Sequence, residues 1–81
     1  MIKIQTGIRV DKKLLKVIKG LAEKREQSLA GLVEEILCAS LLGEQIITQD
    51  EKNTVQKLCE IYCLDQQEIR SLMHNSRKDN E

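Results

Sequence analysis

Aromatic residues are almost missing from this 81-residue chain, which has no Pro, Trp or Phe and a single Tyr. A nucleic-acid site that stacks bases on aromatic side chains is therefore not supported. No apolar run approaches the ~18 residues of a membrane-spanning helix, and the N-terminus lacks the apolar run of a secretory signal. Three Cys is an odd number, so we expect no closed set of intrachain disulfides and predict the reducing cytoplasm as the location.

The net charge of zero conceals an uneven distribution along the chain. Residues 1–25 contain eight basic and two acidic residues, a net charge of +6, and residues 26–81 carry −6. Such asymmetry indicates that the front half meets a polyanion. The alternative is a solvated, lysine-rich helix face, and charge alone does not separate the two.

One strand pattern and four helix patterns follow each other along the sequence. Over residues 2–10, apolar and polar residues alternate with period two, which predicts a strand with one buried face. Helical spacing follows, first to about residues 25–27 and then as far as Gly43, with two short helices before a polar tail from Asn75. The predicted N-caps of the four helices are Asp11, Ser28, Thr48 (in a capping box with Glu51) and Asp65 (with Glu68).

A single strand has no partner for its backbone within this prediction. The only other β-like piece, residues 45–48, is short, and an unpaired strand leaves its donors and acceptors unsatisfied. Antiparallel pairing with the same strand of a second copy solves this problem. The fold class predicted is therefore mainly α, a homodimer with an intermolecular two-stranded antiparallel β-ribbon and a C-terminal helical extension.

The strand IKIQTGIRV and the helices DKKLLKVIKGLAEKR and SLAGLVEEIL resemble the ribbon-helix-helix DNA-binding proteins, the group of Arc and the methionine repressor. The resemblance covers residues 2–42. It implies an intertwined homodimer, possible higher-order assembly on DNA, and a β-ribbon in the major groove of double-stranded DNA. It divides the chain into a DNA-binding and dimerisation domain, residues 1–43, and an extension, residues 44–81. The function implied is a sequence-specific transcriptional repressor or autoregulator.

The resemblance also assigns residues to DNA contacts. The base-reading positions are Lys3, Gln5, Gly7 and Arg9. Arg9 suits guanine and Gln5 suits adenine, whereas Gly7 either lets the backbone approach the groove floor or marks a bulge. Two phosphate-binding positions, Ser28 and Leu29, match the start of the family's second helix, where a helix N-terminus offers free N–H groups. Lys12 and Lys13 are added as phosphate-binding positions because they lie near the end of the predicted strand, within reach of flanking phosphates.

Two positions depart from the family pattern. The turn between the helices often has glycine, and here the matching residue is Glu26, which fits a left-handed turn less well and brings a carboxylate near a phosphate. A small polar residue often stands two after the cap, and here it is Ala30. Both changes weaken phosphate anchoring without changing the expected fold.

Neither catalysis nor metal binding is expected. Cys59 and Cys63 stand four apart, with Cys38 and His74 elsewhere, but close C-x-x-C pairs are missing and a buried Cys59 thiol is the simpler interpretation. The single His lies near the chain end, and no Gly-rich phosphate loop occurs. We therefore predict a protein that is not an enzyme and needs no cofactor.

Two alternative functions remain open. Residues 44–81 could bind a protein partner, as in an antitoxin whose C-terminal half masks its target. Such tails are often disordered until bound, whereas this one carries two capping signals and apolar stripes. The other alternative is a dimerisation module without a nucleic-acid role.

Overall fold

The computed structural model describes the backbone of residues 2–78 and the side chains of residues 2–74. Four helices follow one another in this part of the chain: α1 (Lys12–Lys24), α2 (Leu29–Leu42), α3 (Gln49–Ile61) and α4 (Gln66–Lys78). α4 thus continues beyond Asn75, where the sequence predicted a polar tail to begin, and residues 79–81 lie outside the described part.

The predicted strand over residues 2–10 is wrong. This segment has no regular secondary structure, every residue in it is exposed, and the described residues form helices and no strand. The ribbon-helix-helix dimer with an intermolecular β-ribbon is therefore overturned as the fold class, and the described chain is all-helical. Alternation of apolar residues sets the faces of a strand, but a strand also needs a backbone neighbour to bond with. No other described segment pairs with residues 2–10.

The predicted N-caps are confirmed at all four helices. The side chains of Asp11, Ser28 and Thr48 accept from the N–H groups of Leu14, Gly31 and Glu51, and Asp65 accepts from Glu68. At α3 the capping box is complete, because the Glu51 carboxylate also accepts from the N–H of Thr48. These bonds satisfy backbone donors that each helix start leaves without an intrahelical partner.

Left-handed residues end the first three helices. Glu26, Gly43 and Cys63 have φ of 54°, 71° and 56°. After each of them, the next N–H bonds back to a carbonyl in the last turn, as Gln27 does to Ala22 at 2.9 Å. This closure satisfies the terminal carbonyls and normally favours glycine. The prediction that Glu26 occupies a left-handed turn position, where glycine fits better, is thus confirmed.

The hydrophobic core lies where α1 meets α2 and α3. Leu21 and Ala22 of α1 and Leu32 of α2 form its buried centre, and flanking apolar residues pack against it: Ile18, Ile36 and Val55. Leu64, in the turn before α4, is also buried. Among the described residues, none of the helices combines the length and the apolar character needed to cross a membrane.

Gly20 allows α3 to approach α1 closely. A methyl group at Gly20 would lie 2.7 and 2.9 Å from the two Cδ atoms of Leu58. We expect Gly20→Ala to lower the free energy of unfolding by about 1 kcal/mol, because overpacking (~1–3 kcal/mol) outweighs the gain in helix propensity (~1 kcal/mol). Where Leu58→Ala has removed the obstructing atoms, the same substitution should stabilise by about 1 kcal/mol. Urea unfolding of the four proteins in this double-mutant cycle measures both values, and equal effects in the two backgrounds would contradict the contact.

Arg25, which follows α1, connects this helix to the middle of α2 and to the first turn of α3. Its guanidinium donates to both carboxylate oxygens of Glu51 at 2.5 and 2.7 Å, to Glu35 of α2 at 3.1 Å and to the Ile46 carbonyl at 2.7 Å. The Arg25 and Glu51 side chains are only 14% and 15% exposed. A forked pair of this kind fixes direction as well as distance, so it orients α3 relative to α1.

Arg25 also gives stability a distinct pH dependence. Its hydrogen bonds to Glu51, aided by the Thr48 N–H, lower the pKa of Glu51 from 4.5 to about 2. A depressed native pKa stabilises the fold fully above pH ~4.5, and this contribution disappears as the pH falls from there to about 2. We therefore expect the Tm difference between wild type and Glu51→Gln to shrink over that interval. Glu60→Gln, an exposed acid on the same helix, is the control, and a constant difference across pH 2–7 for Glu51→Gln would contradict the assignment.

Candidate nucleic-acid interface

The base-reading candidates lie on the exposed N-terminal segment, residues 2–10. Lys3, Gln5, Gly7 and Arg9 are all exposed, and a Cβ at Gly7 would meet no atom within 4 Å. Only Lys3 has a side-chain partner among the described residues, since its Nζ lies 2.7 Å from Oε1 of Glu34 on α2. The segment therefore runs from the start of α1 to the second turn of α2.

The phosphate-binding candidates separate into two groups. Lys12 and Lys13 open α1, whereas Ser28 and Leu29 open α2 beyond the other end of α1. At 1.5 Å per residue, α1 holds the two groups about 18 Å apart. The fold therefore does not unite the four predicted phosphate contacts in one site.

Ion pairs within the chain use half of the positive charge in the front half. Four of its eight cations meet acids on later elements: Lys3 meets Glu34, Lys13 meets Glu68, Lys24 meets Asp50, and Arg25 meets Glu35 and Glu51. The charge asymmetry that indicated a polyanion is thus partly satisfied inside the molecule. The opposite net charges of the two halves were the available signal for these partners, but residue types alone do not place Glu34, Glu51 or Glu68 beside them.

The remaining four cations form what we name the cation row: Arg9, Lys12, Lys16 and Lys19. All four are exposed, and none has an acid within 4 Å among the described residues. Lys12, Lys16 and Lys19 follow the i, i+4, i+7 spacing of one face of α1, and Arg9 lies on the segment just before this helix. The row ends at the exposed Glu23, which takes the next place on that face.

The cysteines do not form a ligand set. Cys38 and Cys63 are exposed, Cys59 is half-buried, and burial raises the pKa of the Cys59 thiol. Within the described part of the chain, no three His, Cys, Asp or Glu side chains converge as metal ligands. A thiol held neutral by burial is a poor metal ligand and a weak nucleophile.

A broad apolar groove lies between α2, α3 and α4. It has a volume of about 1030 Å³ and runs between the C-terminal half of α2, the α2–α3 connector, α3 and the start of α4. Its apolar lining includes Ile36, Ala39, Val55, Cys59 and Ile69. Residues 44–69 thus contribute most of the lining of this concave surface, and none of the DNA candidates is part of that lining.

Comparisons with protein-family models, with curated proteins and with solved structures gave no match to this chain. Its function is therefore argued from its own residues.

Proposed function

We propose that this protein is a dimeric, sequence-specific DNA-binding transcriptional regulator that acts in the cytoplasm as a repressor or autoregulator. The observation that supports the proposal is the cation row, which keeps four exposed positive charges after the internal ion pairs are formed. Exposed cations of this kind contact DNA phosphates and supply affinity without specifying sequence. The row begins at Arg9, on the segment that carries the base-reading candidates.

Specificity comes from the N-terminal segment in this proposal. Arg9 can bind guanine O6 and N7 with two bonds, and Gln5 can bind adenine N6 and N7. The α2 start, where Ser28 caps the helix and Leu29 follows, offers backbone N–H groups to a phosphate. Glu26 precedes the start of α2, and its negative charge repels a phosphate bound there. We therefore expect the phosphate contact at Ser28 and Leu29 to be weaker than the one at Lys12 and Lys13.

A gel-shift titration against the DNA upstream of the protein's own gene, with random competitor DNA, tests the proposal. We expect Arg9→Ala to weaken competitor-resistant binding by about 10- to 100-fold, the value of one lost bidentate base contact. Lys57→Ala removes the same charge from an exposed position on α3 and should change affinity less than about two-fold. Equal effects of the two variants would refute the assigned reading segment. No shift of the wild type at low salt would refute DNA binding.

The second candidate is a protein-partner module formed by residues 44–81, as in an antitoxin. The apolar groove is the observation in its favour. Against a segment that folds only on binding, α3 and α4 are helical, and Arg25 ties α3 to α1. An absent DNA shift in the titration above would favour this candidate over the first.

A further inference from the structure

Lys13 is held by the C-terminal half of the chain. Its Nζ lies 3.0 Å from Oε2 of Glu68 and 3.1 Å from the carbonyl oxygen of Cys63. The hydrogen bond to Glu68 raises the pKa of Lys13, so the ammonium stays charged. These two bonds join the first turn of α1 to the turn before α4 and to the first turn of α4 itself.

The Glu68 carboxylate binds Lys13, although the sequence predicts that it binds the Asp65 N–H in a capping box. Its backbone N–H is bound by Asp65, as in such a box, but its carboxylate binds Lys13. No bond from the Asp65 N–H to this carboxylate occurs among the described residues, in contrast to Glu51 at α3. The Glu68 carboxylate therefore forms an ion pair with Lys13 of α1 instead of the local hydrogen bond that the sequence pattern favours.

A second DNA candidate is held in the same way. Lys3 Nζ lies 2.7 Å from Oε1 of Glu34, and both side chains are more than half exposed. A carboxylate presents two oxygens with a negative charge to a lysine, as a DNA phosphate does. In both pairs, an acid of the chain itself therefore occupies a lysine that is assigned to DNA, a phosphate contact at Lys13 and a base contact at Lys3.

We propose that Glu68 and Glu34 occupy two DNA-contacting lysines in the DNA-free protein, so that DNA must displace them from Lys13, a phosphate contact, and from Lys3, a base contact. This inference rests on the proposed DNA-binding function and adds its regulation. Displacement leaves each freed carboxylate close to the DNA, and repulsion between the carboxylate and the phosphate backbone lowers affinity. An exposed ion pair resists exchange only weakly, so each acid reduces affinity by up to about five-fold.

The displacement of Glu68 from Lys13 also couples DNA binding to the packing of α4 on α1. The Lys13 bonds are the described polar contacts between α1 and the start of α4. Because coupling free energies are reciprocal, anything that fixes α4 more firmly on α1 disfavours DNA, and DNA loosens α4. A partner that draws α4 away would therefore raise the affinity for DNA.

The test compares Glu68→Gln with Glu60→Gln, which removes the same charge from an exposed position with no ion pair among the described residues. The probe is a random-sequence duplex of about 30 base pairs at about 50 mM NaCl, where phosphate contacts dominate binding. We expect Glu68→Gln to tighten binding two- to five-fold and Glu60→Gln to change it less. In a Lys13→Met background the two substitutions should have equal effects.

Other outcomes overturn the inference in distinguishable ways. Equal affinities of Glu68→Gln and Glu60→Gln in the native background would show that Glu68 does not compete with DNA. Weaker binding by Glu68→Gln would show that Glu68 positions Lys13 for DNA. Glu34→Gln tests the second pair without disturbing α4, and it should also tighten binding two- to five-fold. A wild type that binds no duplex would refute the proposed function itself, and the competition with it.

Discussion

Replacement of Arg25 by alanine should lower the Tm by about 10 °C, the largest loss we expect from any single charged residue of this chain. The substitution removes the fork to Glu51, the bond to Glu35 and the bond to the Ile46 carbonyl together. It leaves the Glu51 carboxylate, 15% exposed, without its cation. Truncation of one member of such a pair costs more than the pair contributes, because the remaining charge stays desolvated. In a domain of this size about 2 kcal/mol corresponds to roughly 8–16 °C.

Lys24→Ala is the matched control for Arg25. Lys24 is the adjacent residue and binds Asp50 and Thr54 of the same helix, α3, but Asp50 is 85% exposed. An exposed pair contributes about 0–1 kcal/mol, so Lys24→Ala should lower the Tm by only a few degrees. Thermal unfolding followed by circular dichroism gives both values. A similar decrease in Tm for the two variants would mean that Arg25 contributes no more to stability than an exposed surface cation does.

The helices could be predicted from the sequence because their signals are local. Asp11, Ser28, Thr48 and Asp65 each stand directly before an apolar helical pattern, and each is an N-cap in the structure. Side-chain capping depends on residues three positions apart, so it needs no knowledge of the rest of the fold. Gly43 likewise ends α2 in a left-handed conformation, as predicted.

The error over residues 2–10 has the opposite origin. The alternation of Ile2, Ile4, Ile8 and Val10 is a local signal, but strand formation depends on a distant backbone that the pattern does not specify. The same limit applies to the candidate site. Composition revealed the +6 and −6 halves, yet only the fold shows that Lys13 meets Glu68 and that Arg25 meets Glu51, 55 and 26 residues away.

The chain exposes more surface than a compact monomer of its mass. Its accessible surface is 7131 Å², whereas a folded monomer of 9.3 kDa has about 5,000 Å². The excess of about 2,100 Å² exceeds the ~800 Å² that each partner buries in a standard protein interface. Large apolar side chains supply part of it, with Ile2, Ile4 and Ile8 exposed by 95%, 83% and 72%.

The second helix has apolar residues on two faces. One face carries the buried Leu32 and Ala39 against the core, and the other carries Leu37 and Leu41, which are 58% and 87% exposed. A helix that is apolar around most of its circumference is normally buried on all sides. We propose that a second copy of the chain covers this exposed face, which is the dimerisation step of the proposed function.

Leu41→Asp should therefore weaken self-association by at least about 100-fold, because each dimer would carry two unpaired carboxylates in an apolar contact. Ile61→Asp is the control, since Ile61 is 68% exposed but lies on α3 and not on the face of α2 that forms the proposed interface. Sedimentation equilibrium over a range of protein concentrations measures both dissociation constants. Circular dichroism at the same concentrations separates dissociation from unfolding, which in an obligate dimer can occur together. Equal dissociation constants for the two variants would place the interface elsewhere. A wild type that stays monomeric would remove dimerisation from the proposed function. The proposal of DNA binding by the cation row, and its gel-shift test, would still stand.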